Sequence, residues 1–139
     1  MKDQNCAYCM EGELVAKFGI KICELETSKV YLFKEQSHPG RCIVAHKKHV
    51  GDMNELTAEE RAAYFEDVAR VARAIMKAFN PDKVNYGAYG DTGHHLHFHL
   101  CPKYKDEYEW GGVFLMNPDK KYLTDEEYAA MIEKIKANM

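Results

Sequence analysis

Residues His95 to Leu100, His-Leu-His-Phe-His-Leu, alternate an imidazole with a large apolar side chain at every step. Successive side chains of a β-strand point to opposite faces, so this run fits a strand and contradicts a helix. As a strand, Leu96, Phe98 and Leu100 face a core while His95, His97 and His99 face the other way together. One committed face requires partner strands and a covering layer, which means a sheet with a hydrophobic underside. The run is internal and interrupted by Leu96 and Phe98, unlike a purification tag; His94 lies outside the alternation. Alternation alone leaves three readings open: a structural strand, a metal site or a catalytic strand. Adjacent imidazoles repel when charged, so at least one stays neutral near pH 7, and a neutral imidazole serves as nucleophile or as metal ligand.

The remaining sequence supplies the partners. Lys17 to Lys34 alternates in β fashion around a turn at Glu26-Thr27-Ser28, a hairpin, and Cys42 to Ala45 follows Pro39-Gly40 as another short strand. The period then changes. Thr57-Ala58-Glu59-Glu60 is a capping box opening a helix striped by Phe65, Val68, Ala72, Ile75 and Phe79 and ended by Asn80-Pro81-Asp82. Val84 to Gly87 starts a strand, Gly87 to Gly93 is a loop, and His95 to Tyr104 alternates. A second capping box at Thr124 to Glu127 opens a final helix. The expectation is an α+β domain: an antiparallel sheet of about five strands, one long helix on it and a C-terminal helix.

With 139 residues, no repeat and no linker, one domain over 1–139 is expected. It carries a Cys-x-x-Cys segment at 1–16 and a helical extension at about 105–139. A formal net charge of −3 argues against nucleic-acid polymers as partners but leaves room for a small anionic ligand. The N-terminus has no apolar core of signal-peptide length and no stretch has the ~18 apolar residues of a membrane span. A cytoplasmic, reducing setting is the default, where five cysteines, an odd number, do not make a disulfide framework.

His95-Leu96-His97-Phe98-His99-Leu100-Cys101 resembles the histidine-triad (HIT) pattern, His-φ-His-φ-His-φ-φ with φ hydrophobic, and Pro102-Lys103-Tyr104 resembles what often follows it. Upstream, Pro39-Gly40-Arg41-Cys42-Ile43-Val44-Ala45-His46-Lys47-Lys48-His49 is similar to the family's Pro-Gly-His-x-Leu-Val-Ile-Pro-Lys-x-His segment. Cys6-Ala-Tyr-Cys9 resembles its Cys-x-x-Cys opening. The similarity keeps its order from about Cys6 to Tyr104.

The resemblance implies a HIT-like fold and a nucleotide hydrolase or transferase acting at an α-phosphate. The middle histidine, here His97, attacks phosphorus to give a nucleotidyl-histidine, which splits one hard displacement into two easier ones. His99 and the loop bearing Thr92 and Gly93 would contact phosphate, as would Asn85 by position. Glu35 is a candidate for the ribose-binding carboxylate, and Trp110 for stacking on a base or sealing a dimer contact. In branches with Cys-x-x-Cys, those thiolates bind structural zinc with two histidines, here Cys6, Cys9, His49 and His95, a donor set that satisfies a closed tetrahedral site. No organic cofactor is implied, and a homodimer is. Three departures stand out. Asp91 lies where some branches carry Gln, His46 replaces the Pro before Lys, and Arg41 replaces the His of Pro-Gly-His. By motif neither His46 nor Arg41 falls at the catalytic centre. The expected substrate is a dinucleoside polyphosphate or a nucleoside phosphoramidate. Rival expectations are a phosphorylase using inorganic phosphate, a nucleotide-binding adaptor with little turnover, and a zinc hydrolase using all three triad histidines as ligands.

Overall fold

The computed structural model describes residues 3–139. Two short helices, α1 (Ala7–Met10) and α2 (Gly12–Ala16), lead into β1 (Gly19–Glu24), β2 (Ser28–Phe33) and β3 (Cys42–His46). A 3-10 turn (Met53–Glu55), the long helix α3 (Ala58–Phe79), β4 (Lys83–Gly87), β5 (His97–Lys103) and α4 (Asp125–Ala137) follow. The strands form one antiparallel sheet of five in the order β1-β2-β3-β5-β4. Among the described residues no helix is long and apolar enough to cross a membrane.

Both faces of this sheet are used, and differently. On one face Val30, Leu32, Val44 and Leu100 pack with Val68, Val71 and Ile75 of α3 and with Tyr128 and Ile135 of α4. This is the larger core, and it holds Leu96 and Phe98 as the triad alternation demands. Tyr64 of α3 ties the layers by donating its hydroxyl to the Val44 carbonyl at 2.7 Å. Buried Asp67 accepts from the Thr27 amide and the hydroxyls of Thr27 and Ser28, pinning the β1–β2 turn to the same helix. Capping boxes at Thr57 and Thr124 are formed with both reciprocal bonds, as read from the sequence.

The other face carries Tyr31, Phe33, Ile43 and Ala45, covered by Tyr8 and Val15 from the N-terminal helices. Across the β3–β5 ladder Ile43 opposes His99 and Ala45 opposes His97, so two triad histidines share this second face. The strand starts later than the alternation suggests. His95 precedes β5, because the carbonyl of Leu96 accepts from His46 while its amide donates to Val50. The ladder there gives way to pairing with His46 and with Val50 in the loop after β3. The helices α1 and α2 and the 3-10 turn are additions to the elements expected.

A C-terminal strap, residues 113–123, runs back over this face before α4. Buried Glu35 accepts from the amides of Lys120 and Lys121 at 2.8 and 2.9 Å, as well as from the Ser37 amide and hydroxyl. Lys103, 2% exposed, donates to the carbonyls of Glu109 and Gly112 and fastens the preceding loop. Gly87 sits opposite His99 at the end of β4, where a Cβ would meet the Tyr89 ring at 2.6 Å and Phe114 at 2.9 Å. Only glycine lets those two rings close against the sheet beside the triad.

Candidate active site and metal centre

A cavity of about 870 Å³ opens on the second face, walled by all three triad histidines, Tyr8, Phe18 and Phe33, the 89–94 loop and residues 113–117 of the strap. Asp91, Thr92, Gly93, His94 and His49 are in its lining. Asn85 is not: it lies on β4 opposite Cys101, two pairs further from the triad than Gly87 and His99. Trp110 lies outside the lining as well, 40% exposed in the loop after β5. Glu35 is also outside, its oxygens spent on the strap and on Ser37, which is a fastening role rather than contact with the cavity.

Hydrogen bonds settle the tautomer of each triad histidine without reference to hydrogen positions, because each partner has only one possible role. The Nε2 of His95 lies 2.6 Å from the His46 carbonyl, which only accepts. Hence Nε2 bears the proton and Nδ1 offers a lone pair. The Nδ1 of His97 lies 2.6 Å from the His95 carbonyl, so there Nδ1 bears the proton and Nε2 is the free base. The Nδ1 of His99 is 3.0 Å from Nη2 of Arg41, which only donates, so His99 accepts at Nδ1 and carries its proton on Nε2. Three imidazoles on one short segment thus present a ligand lone pair, a basic lone pair and an N–H donor.

Charge states agree with this division. Burial pulls His97 below the ordinary histidine range, opposed by its bond to the His95 carbonyl. Burial, then the Arg41 charge, then His97, hold His99 down at about 2. Burial lowers His95 to about 4. All three are neutral at pH 7. Tyr8, from the middle of Cys-x-x-Cys, lays its ring 4.9 Å from that of His97 at 36° and contributes to the dry surroundings that depress it.

The lone pair of His95 enters a cluster with Cys6, Cys9 and His49, whose ligand atoms all lie within 4.8 Å of one another. Nδ1 of His95 is 3.3 Å from Sγ of Cys6, 3.6 Å from Sγ of Cys9 and 3.1 Å from Nδ1 of His49, and Cys9 Sγ is 3.3 Å from His49 Nδ1. A tetrahedral ion about 2.3 Å from sulfur and about 2.0 Å from nitrogen spaces its ligands roughly 3.3–3.8 Å apart. The four residues come from the segment before α1, α1 itself, the loop after β3 and the approach to β5, and their spacing fits a closed metal centre. The fit also rests on the donor chemistry, since a second-sphere carbonyl orients His95 as metal-ligating imidazoles require. Among the described residues the three triad histidines do not form one donor set, since His95 turns to the cysteines and His97 spends Nδ1 on a carbonyl.

Arg41 corrects a sequence expectation. By motif it falls outside the catalytic centre; in the fold it is completely buried and bonded to His99. Register explains this, because Arg41 immediately precedes β3, whose Cys42 and Ile43 oppose Leu100 and His99. Tyr8 and the strap residues Phe114 to Met116 were likewise unmarked as site residues. The signal for Tyr8 was present in its place between the two cysteines, whereas none marked the strap.

The HIT domain family matches residues 19–106 of the chain. Adenosine 5'-monophosphoramidase hnt1 of Schizosaccharomyces pombe is 26% identical over 144 residues, covering 97% of this chain and 98% of the relative. The bis(5'-adenosyl)-triphosphatase of Dictyostelium discoideum is 28% identical over 76 residues, or 51% of each protein. A crystal structure of a histidine triad (HIT) protein from Sinorhizobium meliloti 1021 superposes with a TM-score of 0.84 at 23% identity, over 92% of this chain and 95% of that one, a likeness of fold. With that fold, a histidine triad on the sheet and a domain match across most of the chain, this protein belongs to the HIT domain family.

Proposed function

We propose that the chain is a nucleotide hydrolase or transferase that works at an α-phosphate through a covalent nucleotidyl-His97 intermediate. One observation carries this reading above the others: the His95 carbonyl occupies Nδ1–H of His97 and leaves Nε2 neutral and basic in a ring that lines the cavity. The attacking lone pair forms an Nε2–P bond while the bond from phosphorus to the leaving group breaks, and the leaving group departs with that electron pair and takes up a proton. As the ring becomes an imidazolium, its Nδ1–H bond to the carbonyl strengthens, which is stabilisation aimed at developing charge. His99, an Nε2–H donor, meets the nonbridging oxygens, helped by the hydroxyl of Thr92 and backbone amides of the 91–93 loop. Water then adds to phosphorus, the N–P bond breaks, and a nucleoside monophosphate leaves with His97 restored.

The relatives act on adenosine compounds by name, one a monophosphoramidase and one a triphosphatase. A nucleoside phosphoramidate and a dinucleoside polyphosphate are therefore the substrates to compare. The cavity volume of about 870 Å³ falls within the range of small-molecule sites. The metal centre is assigned zinc on its two thiolates and two imidazoles; bound there, the ion ties the N-terminal segment to the sheet and does no chemistry on substrate.

The test is to trap the intermediate. Incubation with diadenosine polyphosphate or with adenosine phosphoramidate is expected to leave an acid-labile, base-stable adenylyl adduct on the wild type and none on His97→Ala. Nucleotide binding with neither adduct nor turnover would replace this reading by an adaptor. Formation of a nucleoside diphosphate when inorganic phosphate is added would identify phosphate as the acceptor.

A further inference from the structure

Arg41 presents an unusual balance of charge. It is 0% exposed, and no carboxylate contacts it among the described residues. Glu35 and Glu109 pull on it through space, yet their oxygens are taken by Ser37, Lys120 and Lys121 and by His38 and Leu115. The guanidinium stacks 4.1 Å from the Phe33 ring centroid and 4.8 Å from that of Phe114. Nη1 donates to the Leu115 carbonyl at 3.1 Å, and Nη2 donates to His99 Nδ1 and to the Met116 carbonyl, each at 3.0 Å. Its Nε has no hydrogen-bond partner. Burial lowers its pKa, but an arginine starts so high that the group stays cationic at neutral pH.

Burying a cation without a counterion is costly, so its retention calls for an anion that arrives later. The contacts say where. Phe33, His99, Phe114, Leu115 and Met116, the residues that the Arg41 guanidinium touches, all line the cavity. Arginine lies one residue behind the wall at five points.

Building on the reading above, we infer that Arg41 is a positioning and specificity residue, whose buried charge balances the substrate phosphate through His99. Two physical features make arginine suited to this. It has five donors and no acceptor, so it imposes one tautomer on His99, whereas a neutral histidine in that place would leave both tautomers open. Its charge is permanent, polarising His99 Nε2–H toward an anion without transferring a proton. The same fork clamps two strap carbonyls, so the cavity wall and the phosphate donor are set by one side chain.

The metal-loaded protein tests this with adenosine, adenosine monophosphate and inorganic phosphate as calorimetric probes, with Arg41→Met, Arg41→Gln and Arg41→Lys. Removing the charge in the Met and Gln variants is expected to weaken the monophosphate and phosphate by about tenfold or more while adenosine stays within about threefold. The Lys variant, which keeps the charge, is expected to recover most of the monophosphate affinity. Histidine 15N spectra should show His99 as a single Nε2–H tautomer in the wild type and as a mixture in the Met variant. A merely structural role would weaken adenosine and the monophosphate alike and leave the His99 spectrum unchanged, and that result would overturn the inference. If Arg41→Met does not fold, Arg41→Gln, which can still donate to a strap carbonyl, carries the comparison. Should the wild type bind neither nucleoside probe, the nucleotide reading fails, while the phosphate and His99 measurements still decide the role of Arg41.

Discussion

At the scale of single residues, function follows from which ring nitrogen carries the proton. In the proposed mechanism His97 attacks phosphorus only when neutral, and burial keeps its pKa below the ordinary 6.5. Activity is therefore full above that pKa and lost as pH falls through it. The acid limb of kcat/KM is expected to lie below pH 6.5, and a limb at or above 6.5 would show that His97 is solvated in the working enzyme. Glu35 yields a second prediction. Its carboxylate accepts from donors on Ser37, Lys120 and Lys121, so Glu35→Gln is expected to cost about 1–3 kcal/mol in denaturant melts. Nucleotide KM should move little, and a large rise in KM at unchanged stability would restore a ribose-binding role. The sequence made His97 legible because alternation sets its face, and its neighbours in the motif set its partner. Glu35 was not legible in the same way, since the amides that occupy it lie 85 and 86 residues away. Arg41 was hidden for a related reason: its partner His99 is 58 residues distant and adjacent only through the β3–β5 register.

Elements show where local signals suffice. The α3 and α4 starts were readable because a capping box is complete within four residues, and β5 was readable because apolar alternation needs no partner to be recognised. Helices α1 and α2 have no such code. They span only Ala7–Met10 and Gly12–Ala16, too short to stand alone, and draw their order from packing on the second face and from the Cys/His cluster. Metal binding and the folding of this segment should thus be one event. Removing the ion with a chelator, or the thiolates in Cys6→Ser/Cys9→Ser, is expected to abolish the bound zinc and lower stability by about 4 kcal/mol where free metal exceeds its Kd a thousandfold. Amide exchange should rise over 6–16 and stay protected in α3. An unchanged zinc content in the double variant would sink the assignment of these ligands. Because Tyr8 lies between the two cysteines and against His97, loss of the ion should also loosen the wall of the cavity.

The whole molecule holds four histidines that are buried in forms disfavouring their charge: His46, His95, His97 and His99. Each is depressed below 6.5 chiefly by burial, with His95 at about 4 and His99 at about 2. In the unfolded chain each titrates near its ordinary value, so below pH 6.5 the unfolded state takes up protons that the folded state refuses. Stability is then complete above 6.5 and declines as pH falls, until each folded pKa is reached. For His99 the fall between pH 7.5 and 5 amounts to about 2 kcal/mol, and the other three add to it. Carboxylates act lower down. Glu35, and Glu11 at about 2, are depressed from 4.5, so their contribution is lost only as pH drops below that value. Urea denaturation at fixed ionic strength should therefore show two regimes, a decline driven by histidines alone from 6.5 to 4.5 and a steeper one beneath it, where the carboxylates join the imidazoles that the fold still keeps neutral. His99→Asn removes one titrating group and should make the decline shallower from pH 6.5 down to about 2, the folded value of His99, through both regimes. The experiment is run on zinc-supplemented and chelated protein together, since an ion held at the Cys6/Cys9/His49/His95 cluster would add its own pH dependence. A stability that stays level from pH 7.5 to 5 in both forms would mean that these imidazoles are not buried neutral, and the tautomer assignment of the triad would fall with it.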